Sequence, residues 1–189
     1  MEVQLYKNSN FLLILGGGRD QNFAINRCKN IGIKTLVIDF DPKCIGRNNA
    51  TIFAKISNRD SKEIIKFIEK NKISLSGIFV QGTDIPHVAC VIANHFKLSY
   101  MDLDAANLSI DKFVFKKELV KKNINVPEIA KAFNFNDTKD FVNKIGFPVV
   151  IKPNFLSGSK GVFYIDNFHD LEKYFLISKS YTDEDYILI

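Results

Sequence analysis

Five consecutive apolar residues, Phe11 to Leu15 (FLLIL), run directly into Gly16, Gly17 and Gly18. A strand with one wet face alternates apolar and polar residues, whereas an unbroken apolar run must be covered on both faces, as inside a parallel sheet. The segment Arg19 to Asn30 carries Phe23, Ala24, Ile25 and Cys28 at helical spacing, Gly32 stops it, and Thr35 to Ile38 reads as a second strand closing on Asp39. This is a βαβ unit, with a glycine turn at a helix N-terminus where backbone N–H groups attract anions.

The same alternation continues. Thr51 to Ile56 reads as a short strand. Ser61 to Lys70 is an amphipathic helix with Ile64, Ile65 and Ile68 on one face and Asp60 or Ser61 as its cap. Gly77 to Val80 reads as a buried strand, followed by a polar turn, Gln81 to Asp84, and a helix from Ile85 to Phe96. Open α/β sheets bind ligands at the carboxyl ends of their strands. The two turns holding Gly17, Gly18 and Arg19, and Thr83 and Asp84, are therefore expected ligand-binding positions. Leu98 to Met101 reads as a short edge strand, and a domain boundary is placed after residue 103.

Two competing chemistries arise from this half. Gly16 and Gly18 fit two positions of a dinucleotide fingerprint, and Asp39 lies where a ribose-binding acid would sit, but Gln21 occupies the third glycine position. An NAD-dependent oxidoreductase therefore stays open as an alternative. Asp84, His87 and Cys90 recur every three residues; without a further ligand candidate nearby they are read as helix-flanking and core residues, with no metal site and no catalytic residue assigned.

From residue 104 the pattern changes. Ala105 to Ser109 is a short helical piece, and Asp111-Lys112 opens a second helix with Phe113, Leu119 and Val120 apolar and Lys116, Lys117, Lys121 and Lys122 solvated. Glu128 to Phe133 reads as a strand, and Thr138 to Ile145 as a helix capped by Asp137 and stopped by Gly146. Val149 to Ile151 is a short buried strand ending on Lys152, and Pro153 blocks its continuation. Ser157, Gly158, Ser159, Lys160 and Gly161 make a small-residue tip, and Val162 to Ile165 returns. Leu171 to Ser178 is a helix, and Tyr186 to Ile189 begins a strand. Few side chains at the tip let backbone N–H groups approach a polyphosphate, and the lysines supply charge. The alternative is an ordinary Gly/Ser turn beside a surface lysine. A P-loop is excluded, because Lys160 is followed by Gly161 rather than Ser or Thr.

Charge and cysteine content narrow the partners. Of the net +5, residues 1–100 carry 14 basic and 8 acidic side chains, so the first half is the basic one. Nucleic acid is disfavoured as a partner, since the basic residues are mostly single, scattered lysines with few arginines for bidentate base contacts. No apolar run reaches membrane-spanning length. Cys28, Cys44 and Cys90 lack CxxC spacing and point to free thiols in the cytoplasm.

The strand ending in Val-Ile-Lys-Pro followed by Ser-Gly-Ser-Lys-Gly-Val, together with the Asp111-Lys112 helix start and the approach through Ile124-Asn125-Val126-Pro127, resembles the ATP-grasp superfamily, which includes biotin carboxylase, carbamoyl phosphate synthetase and purine-pathway ligases. The resemblance implies an α/β chain: a Rossmann-like pre-ATP-grasp domain over residues 1–103, then the first α+β lobe of an ATP-grasp fold over 104–189, truncated at its C-terminus. It implies ATP as cofactor, with Lys112 and Lys152 on the phosphates, Ser157 to Gly161 closing over them, and Leu188 and Ile189 leading into the adenine-binding segment. Magnesium is implied too, its ligands expected beyond Ile189, so the 189-residue chain alone is expected to be inactive. The implied reaction joins small-molecule carboxylate and amine substrates through an acyl phosphate, in a possible homodimer, with the turns at Gly17, Gly18 and Arg19 and at Thr83 and Asp84 implied as the substrate-binding positions. A non-catalytic nucleotide- or ligand-binding module is the other alternative.

Overall fold

The computed structural model describes residues 10–156 and 158–189, and the chain divides into two compact units, one up to Asn107 and one from Leu108 to Ile189. In the first unit β1 (Asn10–Leu15), β2 (Thr35–Asp39), β3 (Ile52–Lys55) and β4 (Ser74–Phe79) form one parallel sheet in the order β3-β2-β1-β4. Parallel neighbours need crossovers. β1 and β2 are joined through α1 (Arg19–Asn30) and β2 and β3 through a 3-10 helix (Ile45–Asn49), while α2 (Ser61–Lys70) carries the chain from β3 at one edge of the sheet to β4 at the other, and α3 (Pro86–His95) follows β4.

The pleat sorts the FLLIL run as its composition demands. Phe11, Leu13 and Leu15 pack with Leu36, Ile38, Ile64, Ile68, Val88 and Ile92, the side of α2 and α3. Ile14 and Val37 point the other way and pack against Ile25 of α1. The expected parallel sheet with helices on both faces is thus present. Phe23 is not part of α1's buried face: it is 77% exposed, and Gln21, Ile25 and Cys28 are the buried positions. β4 is an edge strand and only half-buried, because β1 covers one side of it and no strand follows. The edge strand expected at Leu98 to Met101 is absent; that segment is irregular and passes α3, where the Cys90 thiol bonds the Met101 carbonyl at 3.1 Å. The N-cap of α3 is Ile85, with no side-chain bond from Asp84.

α4 (Leu103–Ile110) leads into the second unit, which holds α5 (Lys112–Lys121), β5 (Lys131–Ala132), α6 (Phe135–Ile145), β6 (Val149–Ile151), β7 (Phe163–Ile165), α7 (Phe168–Lys179) and β8 (Ile187–Leu188). β6 and β7 are the expected antiparallel hairpin, with Val149 opposite Ile165, Val150 opposite Tyr164 and Ile151 opposite Phe163. β5 pairs antiparallel with β8. The strand expected over Glu128 to Phe133 is shorter, although Ala130 and Ile189 still exchange backbone bonds beyond it. α6 starts earlier than expected because Asn134 is its cap: Asn134 accepts from Asp137 N–H, and the Asp137 carboxylate accepts from the Asn134 N–H, a capping box. Val142, Val149, Ile151, Ile165, Leu171, Phe175, Ile187 and Ile189 form this unit's core. Among the described residues no helix is long and apolar enough to cross a membrane, and all three cysteines are free thiols.

Candidate nucleotide site

β6 presents alternate residues to its two faces. Val149 and Ile151 enter the core, while Val150, 41% exposed, and Lys152 line a cavity of about 410 Å³, to which Val149 also contributes. Phe141 and Ile145 from α6, Pro148, Pro127 and Ile129 before β5, and Ile189 after β8 complete its apolar wall. Two ammonium groups, Lys152 and Lys116, and the Glu128 carboxylate supply its polar groups. Burial, and next the charge of Lys152, push the Lys116 ammonium below the ordinary lysine range. An apolar slot carrying two mutually repelling cations suits a ligand with a flat apolar part and a multiply charged anionic part.

Of the residues expected from sequence, Lys152 and Ile189 come together here. Leu188 is fully buried and contributes its backbone, exchanging N–H···O bonds with Lys152 at 2.9 and 2.8 Å. Lys112 does not line the cavity. Its ammonium donates to the carbonyls of Asn154 at 2.5 Å and Leu156 at 2.8 Å, at the base of the hairpin loop. Gly158, Ser159 and Lys160 are exposed, and Gly161 is buried against Pro153 and Tyr181; none of the four lines the cavity. Ser157 lies outside the described residues.

Two residues that sequence reasoning passed over matter here. Lys116 was expected to be solvated, yet it is half-buried and faces the cavity; its position one turn after Lys112, on the same helix face, was the available signal. Asn154 is fully buried. Its amide donates to Asp111 Oδ1 and to the Tyr186 hydroxyl, both at 3.0 Å, and its side-chain oxygen accepts from Phe113 N–H at 3.0 Å. It thereby ties the start of α5, whose cap is Asp111, to the hairpin and to the approach to β8.

In the first unit the strand order reverses between β1 and β4, and the expected substrate-binding turns meet there. Gln21 of α1 donates to the Gln81 carbonyl, and a side chain at Gly82 would approach Asp20 Oδ2 to 3.0 Å. Gly18 is the N-cap of α1, Arg19 its first residue, and Thr83 Oγ1 is buried without a partner. The Gly17 amide, however, donates inward to Asp39 Oδ2 at 2.6 Å, and Asp39 Oδ1 accepts from Asp41 N–H at 2.8 Å. The carboxylate that a ribose-binding reading needs is spent on the protein's own backbone.

Comparisons with known proteins bear on the second unit most directly. The profile described as carbamoyl-phosphate synthase L chain, ATP binding domain, matches residues 111–188. The carbamoyl phosphate synthase large chain of Caldanaerobacter subterraneus is 26% identical over 156 residues, covering 80% of this chain and 14% of that protein. That of Rhizobium meliloti is 25% identical over 183 residues, with 87% and 16% covered. Among solved structures, N5-carboxyaminoimidazole synthetase from Staphylococcus aureus complexed with ADP superposes with a TM-score of 0.74 at 18% identity, over 96% of this chain and 46% of that one. Biotin carboxylase from Campylobacter jejuni gives 0.65 at 20% identity, over 95% and 44%. The chain thus spans about a seventh of the length of these synthases and under half of the solved ligases. Profile, relatives and fold agree that this chain resembles, over part of their length, the ATP-grasp ligases of the carbamoyl phosphate synthetase and biotin carboxylase kind.

Proposed function

We propose that this chain supplies the nucleotide-binding part of an ATP-dependent ligase that activates a carboxylate as an acyl phosphate for attack by an amine. The observation that carries the reading is that Lys116 and Lys152, close enough for one charge to act on the other, both line a largely apolar cavity in the unit that matches the ATP binding domain profile. Val150, Phe141, Ile145 and Ile189 offer a wall for the adenine, and the two ammonium groups offset phosphate charge that grows during phosphoryl transfer. The loop from Gly158 to Gly161, which does not line the cavity, is the proposed cover for the phosphates. Among the described residues no group of three or more His, Cys, Asp or Glu gathers, so no magnesium ligands are assigned. The turns at Gly18, Arg19, Thr83 and Asp84 are the proposed site for the small-molecule substrate. A cytoplasmic homodimer fits this chemistry.

The test is calorimetric titration of the chain with ATP, ADP and NAD. Binding of ATP and ADP, weakened roughly tenfold or more by Lys152→Met, is expected, since a charge-assisted contact to an anion contributes on that scale. Binding of NAD with no response to ATP would overturn the reading. Ligase chemistry is tested on the full reading frame, as ADP release that depends on a carboxylate and an amine.

A further inference from the structure

β4 stands at an edge of the parallel sheet with β1 as its one neighbour. Among the described residues no backbone group pairs with its outer side, and the strand expected at Leu98 to Met101 does not form there. The register against β1 shifts between Phe11 and Leu12, so Ser76 is an extra residue and the regular part of the edge is Gly77 to Phe79. Soluble proteins commonly protect such edges with charged residues or proline. β4 reads SLSGIF and carries neither. The other edge of the sheet, β3, is 4 residues long and ends on the exposed Lys55. An open, uncharged edge is a template for a further strand.

We infer that the outer edge of β4 pairs antiparallel with β4 of a second copy of this chain, across a two-fold axis at Ile78. This gives the homodimer of the proposed function its surface and rests on that part of the reading alone, not on the nucleotide site. The strand's own sequence selects a second copy as the occupant. In an isologous contact each strand meets itself reversed, so a charge at or beside the axis would lie close to its own copy, and β4 has no charge. With the axis at Ile78, the two Ile78 side chains lie side by side and Gly77 faces Phe79 of the second copy. Gly77 and Phe79 are two positions apart and share a face, the one on which Phe79 packs with Ile14, Ile25 and Val37. A Cβ at Gly77 would meet only the end of the Leu12 side chain, at 3.5 Å, so the glycine leaves room for a ring laid across it. Ile78 is already half-buried against the cluster of Leu13, Leu36 and Ile64, and the pairing covers its remaining surface.

The experiment is analytical ultracentrifugation over a range of concentrations for the full chain, for Gly77→Lys and Ser76→Lys, and for Lys55→Glu on β3 as a control. Hydrogen-exchange mass spectrometry at the same concentrations follows Gly77 to Val80. The native chain is expected to dimerise, with amide protection over Gly77 to Val80 that rises with the dimer. Gly77→Lys and Ser76→Lys are expected to weaken the dimer roughly tenfold or more, since each sets like charges in the contact, and Lys55→Glu to leave it unchanged. Gly77 lies outside the positive-φ region and Ser76 is exposed, so both variants are expected to keep the fold, which circular dichroism checks. If neither folds, exchange in the native chain decides: protection that rises with dimerisation supports the inference, and protection that does not overturns it. A dimer equally tight in both lysine variants overturns this inference and leaves the homodimer standing. Amides equally protected in the monomer mean that another segment of the same chain covers β4, and overturn it too. A chain that stays monomeric overturns this inference and the homodimer together, and leaves the nucleotide reading untouched.

Discussion

Lys152 and Leu188 exchange both backbone hydrogen bonds, at 2.9 and 2.8 Å, and this single antiparallel pair joins the β6–β7 hairpin to the β5–β8 ladder. The side chains of Lys152 and of Ile189, next to Leu188, both reach the cavity, so the bridge fixes the spacing between the cation and the apolar wall. Leu188→Pro removes the N–H that Lys152 O accepts. It is expected to destabilise the second unit by about 3 kcal/mol or more and to accelerate amide exchange at Lys152, measured by hydrogen-exchange mass spectrometry. Unchanged exchange at β6 would show that the hairpin is held elsewhere.

Asn154→Leu fills the same space but strips three hydrogen bonds from a fully buried hub, leaving Phe113 N–H and the Tyr186 hydroxyl without a partner there. A loss of about 2–4 kcal/mol in the second unit is expected from denaturant unfolding. A loss under about 1 kcal/mol would mean that water replaces the amide.

Gly161 and Gly158 both have positive φ, +70° and +68°, but of the two Gly161 is crowded: an added Cβ there would meet Pro153 Cγ at 3.0 Å and Tyr181 Cβ at 3.1 Å, while a Cβ added at Gly158 would meet none of the described residues beyond its chain neighbours within 4 Å. Gly161→Ala is expected to cost about 2–3 kcal/mol and Gly158→Ala about 1 kcal/mol, the second being backbone strain alone. Equal losses in thermal melts would remove the packing argument.

Gly17 lies under Cys44, so a Cβ there would come within 2.5 Å of the Cys44 sulfur. Gly17→Ala is expected to destabilise the first unit by about 1–3 kcal/mol, and Cys44→Ala in the same chain to recover part of that, because it removes the clashing atom. Strict additivity in the double-mutant cycle would refute the contact as the cause.

Lys116 gives the cavity a pH dependence. Burial and Lys152 hold its folded-state pKa below the ordinary 10.5. Between that lowered value and 10.5 the unfolded chain binds more protons than the folded one, so Lys116 makes the fold more stable as pH rises through this window. Under the proposed function, a polyphosphate bound in this cavity would bring negative charge and raise the proton affinity of Lys116 again. Nucleotide binding is therefore expected to take up protons in this alkaline window and to weaken as pH rises through it. Calorimetry in buffers of different ionisation enthalpy reads the uptake, which should vanish in Lys116→Met.

The sequence by itself determined the layers of this protein. FLLIL followed by three glycines required a strand covered on both faces, and the alternation of apolar runs with amphipathic stretches required parallel strands with crossover helices, because local periodicity dictates which faces must be buried. The hairpin around Lys152 was legible for the same reason, from β-rich runs on either side of a glycine-bearing tip. The different surroundings of Lys112 and Lys116 were not. Lys112 and Lys116 carry the same side chain on the same helix face, and what separates them is that residues some forty positions later, Asn154 and Leu156, fold back against one and leave a cavity before the other. Likewise Asp39 stood at a spacing that fits a ribose, and only the return of the chain past Gly17 spent its carboxylate on the backbone. Hydrogen-bond partners and charge neighbours are set by contacts distant in sequence, and those exist only once the units have folded.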